Sequence, residues 1–172
     1  MAGPCQNREF QAFNHLNKPD MRKPNRIVIV DSDPTSTADF CAALEMQPDL
    51  TLAAVVTCAS CSFAAVSGQR PDLVVLSLSM PGYRILELVK DLLVLHADLK
   101  ILIVSSQEQE LEAARVLRAG AHGCVLASCS IATKMDAVRQ VLAGNRCFTP
   151  QTARHQNADV SLGHCVKAAF AL

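Results

Sequence analysis

From Arg26 onward, short runs of β-branched and aliphatic residues alternate with amphipathic stretches, unit after unit, as far as Gly144. This alternation constrains the fold more than any other feature, because it describes parallel strands connected by crossover helices. Strands are expected at Ile27–Val30, Leu52–Thr57, Leu73–Leu78, Ile101–Ser105 and Gly123–Ala127. Several are apolar without interruption, as strands covered on both faces must be. Helices are expected at about Thr35–Met46, Ser60–Ser67, Ile85–Leu95, Glu108–Ala119 and Ile131–Ala143, with Gly120 and Gly144 where C-caps belong. Right-handed crossovers then favour an α/β fold with an open, doubly wound, five-stranded parallel sheet. A closed eight-stranded barrel would need more chain.

Half of the 172 residues are hydrophobic, enough for one domain with a sizeable core. Sixteen basic residues balance sixteen acidic ones, so the chain offers no electrostatic footprint for a phosphate backbone and direct nucleic-acid binding is disfavoured. Residues 1–25 carry Pro4, Pro19 and Pro24 without periodicity and read as a flexible leader. Residues 26–146 form the domain, and 147–172 a linker-like tail in which Val160–Leu172 is either a short helix or frayed. With no apolar signal region and no apolar run longer than a strand, the expected location is cytoplasmic, away from membranes. The eight cysteines do not suit a disulfide scaffold in a chain of this kind and are expected as reduced thiols.

In doubly wound sheets the functional crevice lies beyond the carboxyl ends of the strands, which directs attention to Asp31, Ser77, Ser105 and Ala127. Around these positions stand Ile27-Val28-Ile29-Val30-Asp31-Ser32-Asp33-Pro34, Pro71-Asp72-Leu73-Val74-Val75-Leu76-Ser77-Leu78-Ser79-Met80-Pro81-Gly82, Lys100-Ile101-Leu102-Ile103-Val104-Ser105 and Ala114-Arg115-Val116-Leu117-Arg118-Ala119-Gly120-Ala121-His122-Gly123-Cys124-Val125-Leu126-Ala127. Over about residues 26 to 150 the chain resembles the response-regulator receiver family, particularly its NarL/FixJ-like branch. The resemblance implies the flavodoxin-like strand order 2-1-3-4-5. It also makes Ser77 the counterpart of the phospho-accepting aspartate and Ser32 that of the second acid of an acidic pair. Ser105 matches the retained hydroxyl, Cys124 replaces an aromatic residue and Ala127 replaces a lysine.

Phosphoryl transfer to such a domain requires a carboxylate nucleophile, a magnesium site of acidic oxygens, a lysine and a hydroxyl. Of these, Asp31 and Ser105 remain. A hydroxyl at Ser77 cannot form an acyl phosphate, and magnesium would be held weakly or not at all by Asp31 and Asp33. Those two acids have an even alternative as capping groups for the following helix. Without Lys at 127 and an aromatic at 124, both charge compensation and the usual switch are lost.

Other motifs are weaker. Cys58-Ala59-Ser60-Cys61 suggests half a zinc site or a redox pair, but in strand order 2-1-3-4-5 it lies about 19 Å from the strand carrying Cys124 and Cys129. Buried or surface thiols are favoured, with a redox pair left open. His122 reads as a surface loop residue. The serines lack a nucleophile elbow and a placed histidine, so an enzyme is not expected. The twenty-two residues after Pro150 are too few for a helix-turn-helix module.

The resulting expectation is a pseudo-receiver: a phosphorylation-independent signalling module of two-component phosphorelays that works by protein contact. Its expected partners are a related response regulator, a sensor kinase or a second copy of the chain, and no cofactor is expected beyond weakly held magnesium. The alternatives are a truncated NarL/FixJ-like regulator without its DNA-binding domain, and a receiver-like domain that binds a small ligand.

Overall fold

The structure, a computed structural model, describes residues 23–33, 35–80 and 84–148. Most of the expected leader and of the expected tail, including Cys5, Cys165 and Val160–Leu172, lies outside these residues, as do Pro34, Pro81 and Gly82; Asn25, expected in the leader, is already the first residue of a strand.

Parallel strands β1 (Asn25–Val30), β2 (Leu50–Val56), β3 (Leu73–Ser77), β4 (Lys100–Ser105) and β5 (Gly123–Leu126) form one sheet of order β2-β1-β3-β4-β5. They alternate with helices α1 (Ala38–Glu45), α2 (Ala59–Gln69), α3 (Ile85–Leu95), α4 (Glu110–Arg118) and α5 (Ile131–Leu142). The α/β doubly wound sheet read from the periodicity is the observed fold.

Because side chains alternate along a strand, each strand feeds two cores. Ile27 and Ile29 point into a layer with Phe40 and Leu44 of α1 and Val138 and Val141 of α5. Val28 and Val30 point the other way, toward Val66 of α2, Leu88 and Leu92 of α3 and Val116 of α4. Each fully buried aliphatic side chain contributes about 1.5–3 kcal/mol relative to exposure, which makes the two apolar layers the dominant support of the sheet.

Two helix starts differ from expectation for a shared physical reason. Thr35 and Ser36 do not enter α1, because Asp33 Oδ1 accepts from the Thr35 amide at 3.0 Å and Ser36 Oγ donates to the Asp33 carbonyl at 2.8 Å. Such side-chain bonds offer the backbone an alternative to the helix. Before α4, Ser106 and Gln109 form a capping box around a 3-10 turn, Gln107–Gln109.

The outer edge of β5 is covered by the segment after α5. Cys124 N–H donates to the Cys147 carbonyl at 2.7 Å and Cys147 N–H to the His122 carbonyl at 3.2 Å. Cys147 is buried and Phe148 packs on the core, so the packed structure continues past Arg146, where the domain was expected to end. Gly123 permits this approach, since a Cβ there would lie 2.8 Å from the Cys147 carbonyl oxygen.

Two readings are corrected. Cys58 and Cys61 are not reduced thiols but are joined in a disulfide, their Cα atoms 5.3 Å apart, whereas Cys41, Cys124, Cys129 and Cys147 are not disulfide-bonded. His122 is not a surface loop residue: it is half-buried and its Nδ1 accepts from the Ile101 amide at 3.2 Å. Among the described residues, no helix is long and apolar enough to cross a membrane.

Candidate functional site

The chain leaves β1 toward β2 on one side and toward β3 on the other, so a crevice opens where β1 and β3 lie side by side. The ladder extends one residue past three strands: Asp31 N–H donates to Val56 O at 3.0 Å, Leu78 N–H to Val104 O at 2.9 Å and Ala127 N–H to Ser105 O at 2.8 Å. These bonds hold the strand-end residues at a common level. The crevice has a volume of about 310 Å³, and Asp31, Ser32, Asp33, Ser77, Ser105 and Ala127 all line it.

Most of its polar groups are already engaged locally. Ser77 is 7% exposed and its Oγ accepts from the Ser79 amide at 3.3 Å. Ser32 Oγ donates to the Ser79 carbonyl at 3.4 Å, tying the turn after β1 to the turn after β3. Asp31 Oδ1 accepts from the Asp33 amide at 3.0 Å, and its Oδ2 receives the Ser36 hydroxyl at 3.4 Å. Asp33 is turned to Thr35, whose hydroxyl and amide lower its pKa below the usual carboxylate value of 3.8. The two acids therefore organise the turn that leads to α1. The N-cap of α1 itself is Thr37, without a side-chain cap bond.

This donor set does not fit magnesium well. The ion favours near-octahedral hard oxygens with one or two available carboxylates. Asp33 Oδ1 accepts from Thr35, Asp31 accepts from the Asp33 amide and the Ser36 hydroxyl, and the other side-chain oxygen donors among the described lining residues are neutral serine and threonine hydroxyls. Among the described residues, no cluster of three or more His, Cys, Asp or Glu side chains forms a metal-binding group.

Cys124 does not line the crevice. It is fully buried behind it, with Sγ 3.3 Å from Ser105 Oγ, and burial pushes its thiol up to about 11. Ser105 thus contacts Cys124 behind the crevice that it lines. Ala127 stands exposed at the rim.

The sequence reading missed Lys134. It lines the crevice from α5, the helix that follows position 127, where the resemblance led a lysine to be sought. Its signal was the period of α5: Lys134 precedes the buried Val138 and Val141 on one helical stripe, where a lysine at the carboxyl end of the sheet points toward the crevice. No histidine is among the lining residues, and no hydrogen bond joins the Ser77 hydroxyl to Asp31, Asp33 or Lys134. Among the described residues the hydroxyl thus makes no hydrogen bond to a base that would take its proton.

The sequence family described as response regulator receiver domain matches residues 27–139. Curated relatives include response regulator GacA of Pseudomonas viridiflava, 36% identical over 85 residues, which are 49% of this chain and 40% of that protein. Another is the nitrate/nitrite response regulator protein NarL of Escherichia coli strain K12, 25% identical over 142 residues, covering 80% of this chain and 66% of the relative. The chain thus spans less than half the length of the GacA relatives it matches. Among solved structures, the crystal structure of a two-component response regulator of the LuxR family from Aurantimonas sp. SI85-9A1 superposes with a TM-score of 0.70 at 26% identity, covering 77% of this chain and 95% of that one. The isolated REC domain of RcsB from Salmonella enterica serovar Typhimurium gives a TM-score of 0.68 at 16% identity, covering 77% and 99%, a likeness of fold alone.

Proposed function

Because the chain belongs to the response regulator receiver domain family, we propose that it is a pseudo-receiver: a non-enzymatic, cytoplasmic signalling module of two-component systems that acts through protein contacts without being phosphorylated. The observation that carries this reading is Ser77, a serine in place of a carboxylate, buried at the end of β3 with its oxygen turned to the Ser79 amide. A serine there offers no carboxylate for acyl phosphate formation, and the local bonds of Asp31 and Asp33 leave a poor magnesium site. Lys134 supplies positive charge, which alone cannot replace an acceptor.

Contact with a partner or a second copy is assigned to the face formed by α4, β5 and α5, by likeness to the family. Magnesium and acetyl phosphate, followed by intact-mass measurement, test the reading. The unmodified mass is expected, and a hydroxylamine-sensitive phosphoryl adduct would overturn it.

A further inference from the structure

The bond between Cys58 and Cys61 lies outside the crevice and takes no part in its chemistry. Its two sulfurs are not equivalent. Cys58 is the N-cap of α2, half-buried, and its Sγ accepts from the Cys61 amide at 3.1 Å. Cys61 is exposed in the first turn of the helix. Directly beneath them, Ala59 is buried and Ser62 fully so, which holds the start of α2 on the core independently of the sulfur bridge. Among the other cysteines, Cys124 and Cys147 are buried, and burial raises the pKa of Cys41 as it does that of Cys124, while Cys129 is half-buried.

We propose that Cys58 and Cys61 form a reversible thiol–disulfide exchange site, whose substrate is an external dithiol that attacks at Cys61. Cys61 is the more exposed residue of the pair and the one a second molecule reaches first. In the first step one thiol of the dithiol loses its proton to solvent, and its sulfur bonds to Cys61 Sγ. The Cys58–Cys61 bond breaks, and its electron pair leaves on Cys58 Sγ. That thiolate forms at the positive end of α2, with the Cys61 amide already aimed at it, and a stabilised thiolate is the faster leaving group. In the second step the other thiol of the dithiol deprotonates and attacks its own partner's sulfur in the mixed disulfide. Cys61 is released and takes up a proton. The protein disulfide gains two electrons and the external dithiol is oxidised to its disulfide. An oxidised dithiol partner drives the same steps in reverse.

The test uses the full chain, oxidised, in native buffer. One arm receives dithiothreitol and a second receives a reduced protein dithiol of the thioredoxin type, with alkylation and peptide mass mapping as readout. Labelling of both Cys58 and Cys61, reversed by the oxidised form of the same reagent while circular dichroism stays unchanged, is the expected result. A response to only one reagent still supports the site and identifies the size of its substrate. Resistance to both reagents until the chain unfolds, or failure of the bond to form in the oxidised protein, would overturn the proposal. A second measurement tests the polarity: the alkylation-rate profile of Cys58 in Cys61→Ser should lie at lower pH than that of Cys61 in Cys58→Ser, and the reverse order would contradict attack at Cys61.

Discussion

Single residues differ in how far their role follows from their neighbours in sequence. Asp31, Ser77 and Ser105 were legible because the strands that end at them are legible. Lys134 was not, because it reaches the crevice from the helix after the position where a lysine was missed. The state of Cys58 and Cys61 was also hidden, since the spacing of two cysteines is the same for thiols and for a bridge. His122 carries a prediction of its own. Burial first, and then the charges of Arg146 and Lys100, hold its pKa below 6.5, while its neutral Nδ1 accepts from the Ile101 amide. The unfolded chain therefore takes up the proton at higher pH than the folded one, so stability falls as pH drops below the unfolded value and through the depressed folded value. Urea unfolding between about pH 7 and pH 5 should show this loss. His122→Gln, which cannot titrate, should flatten it; an identical slope in both proteins would contradict the role assigned to His122.

Elements were more legible than residues. α3 spans Ile85–Leu95 as its periodicity predicts, and all five strands fall within about two residues of expectation. The errors concentrate where polar side chains bond to nearby backbone, as with Asp33, Thr35 and Ser36 before α1 and Ser106 and Gln109 before α4. An apolar period does not report such bonds. Gly120 and Gly144 follow α4 and α5 with φ of 121° and 87°, confirming their place just past the helix ends. Their surroundings differ, and so should the cost of adding a methyl group. At Gly144 a Cβ meets nothing within 4 Å, so Gly144→Ala should cost about 1 kcal/mol from backbone conformation alone. At Gly120 it would lie 2.7 Å from Leu93 Cδ1, the end of a flexible side chain, and φ of 121° is further from the left-handed well, so Gly120→Ala should cost up to about 1 kcal/mol more. Chemical denaturation of the two variants checks the order, and equal losses would show that Leu93 yields freely.

At the scale of the whole molecule, the sheet keeps what folding requires while its carboxyl rim departs from what phosphotransfer requires. The strands supply two apolar faces, each covered by helices, and their ladder sets Asp31, Ser77 and Ser105 at one level. Against that intact frame stand Ser32 tied to the Ser79 carbonyl, Ser77 turned to the Ser79 amide, Cys124 packed behind Ser105 and Ala127 at the rim. The fold was legible because apolar periodicity encodes it directly. The crevice was legible only as a set of positions, since the bonds that engage Asp31 and Asp33 depend on turn geometry that spacing does not reveal. If the loss is coordinated, restoring the carboxylate alone does not restore the reaction. The most direct test compares the wild-type protein with Ser77→Asp, each incubated with acetyl phosphate and magnesium and followed by intact mass over time. The expected result is an unmodified wild-type protein and little or no adduct on the variant; rapid, near-complete phosphorylation of Ser77→Asp would contradict the account.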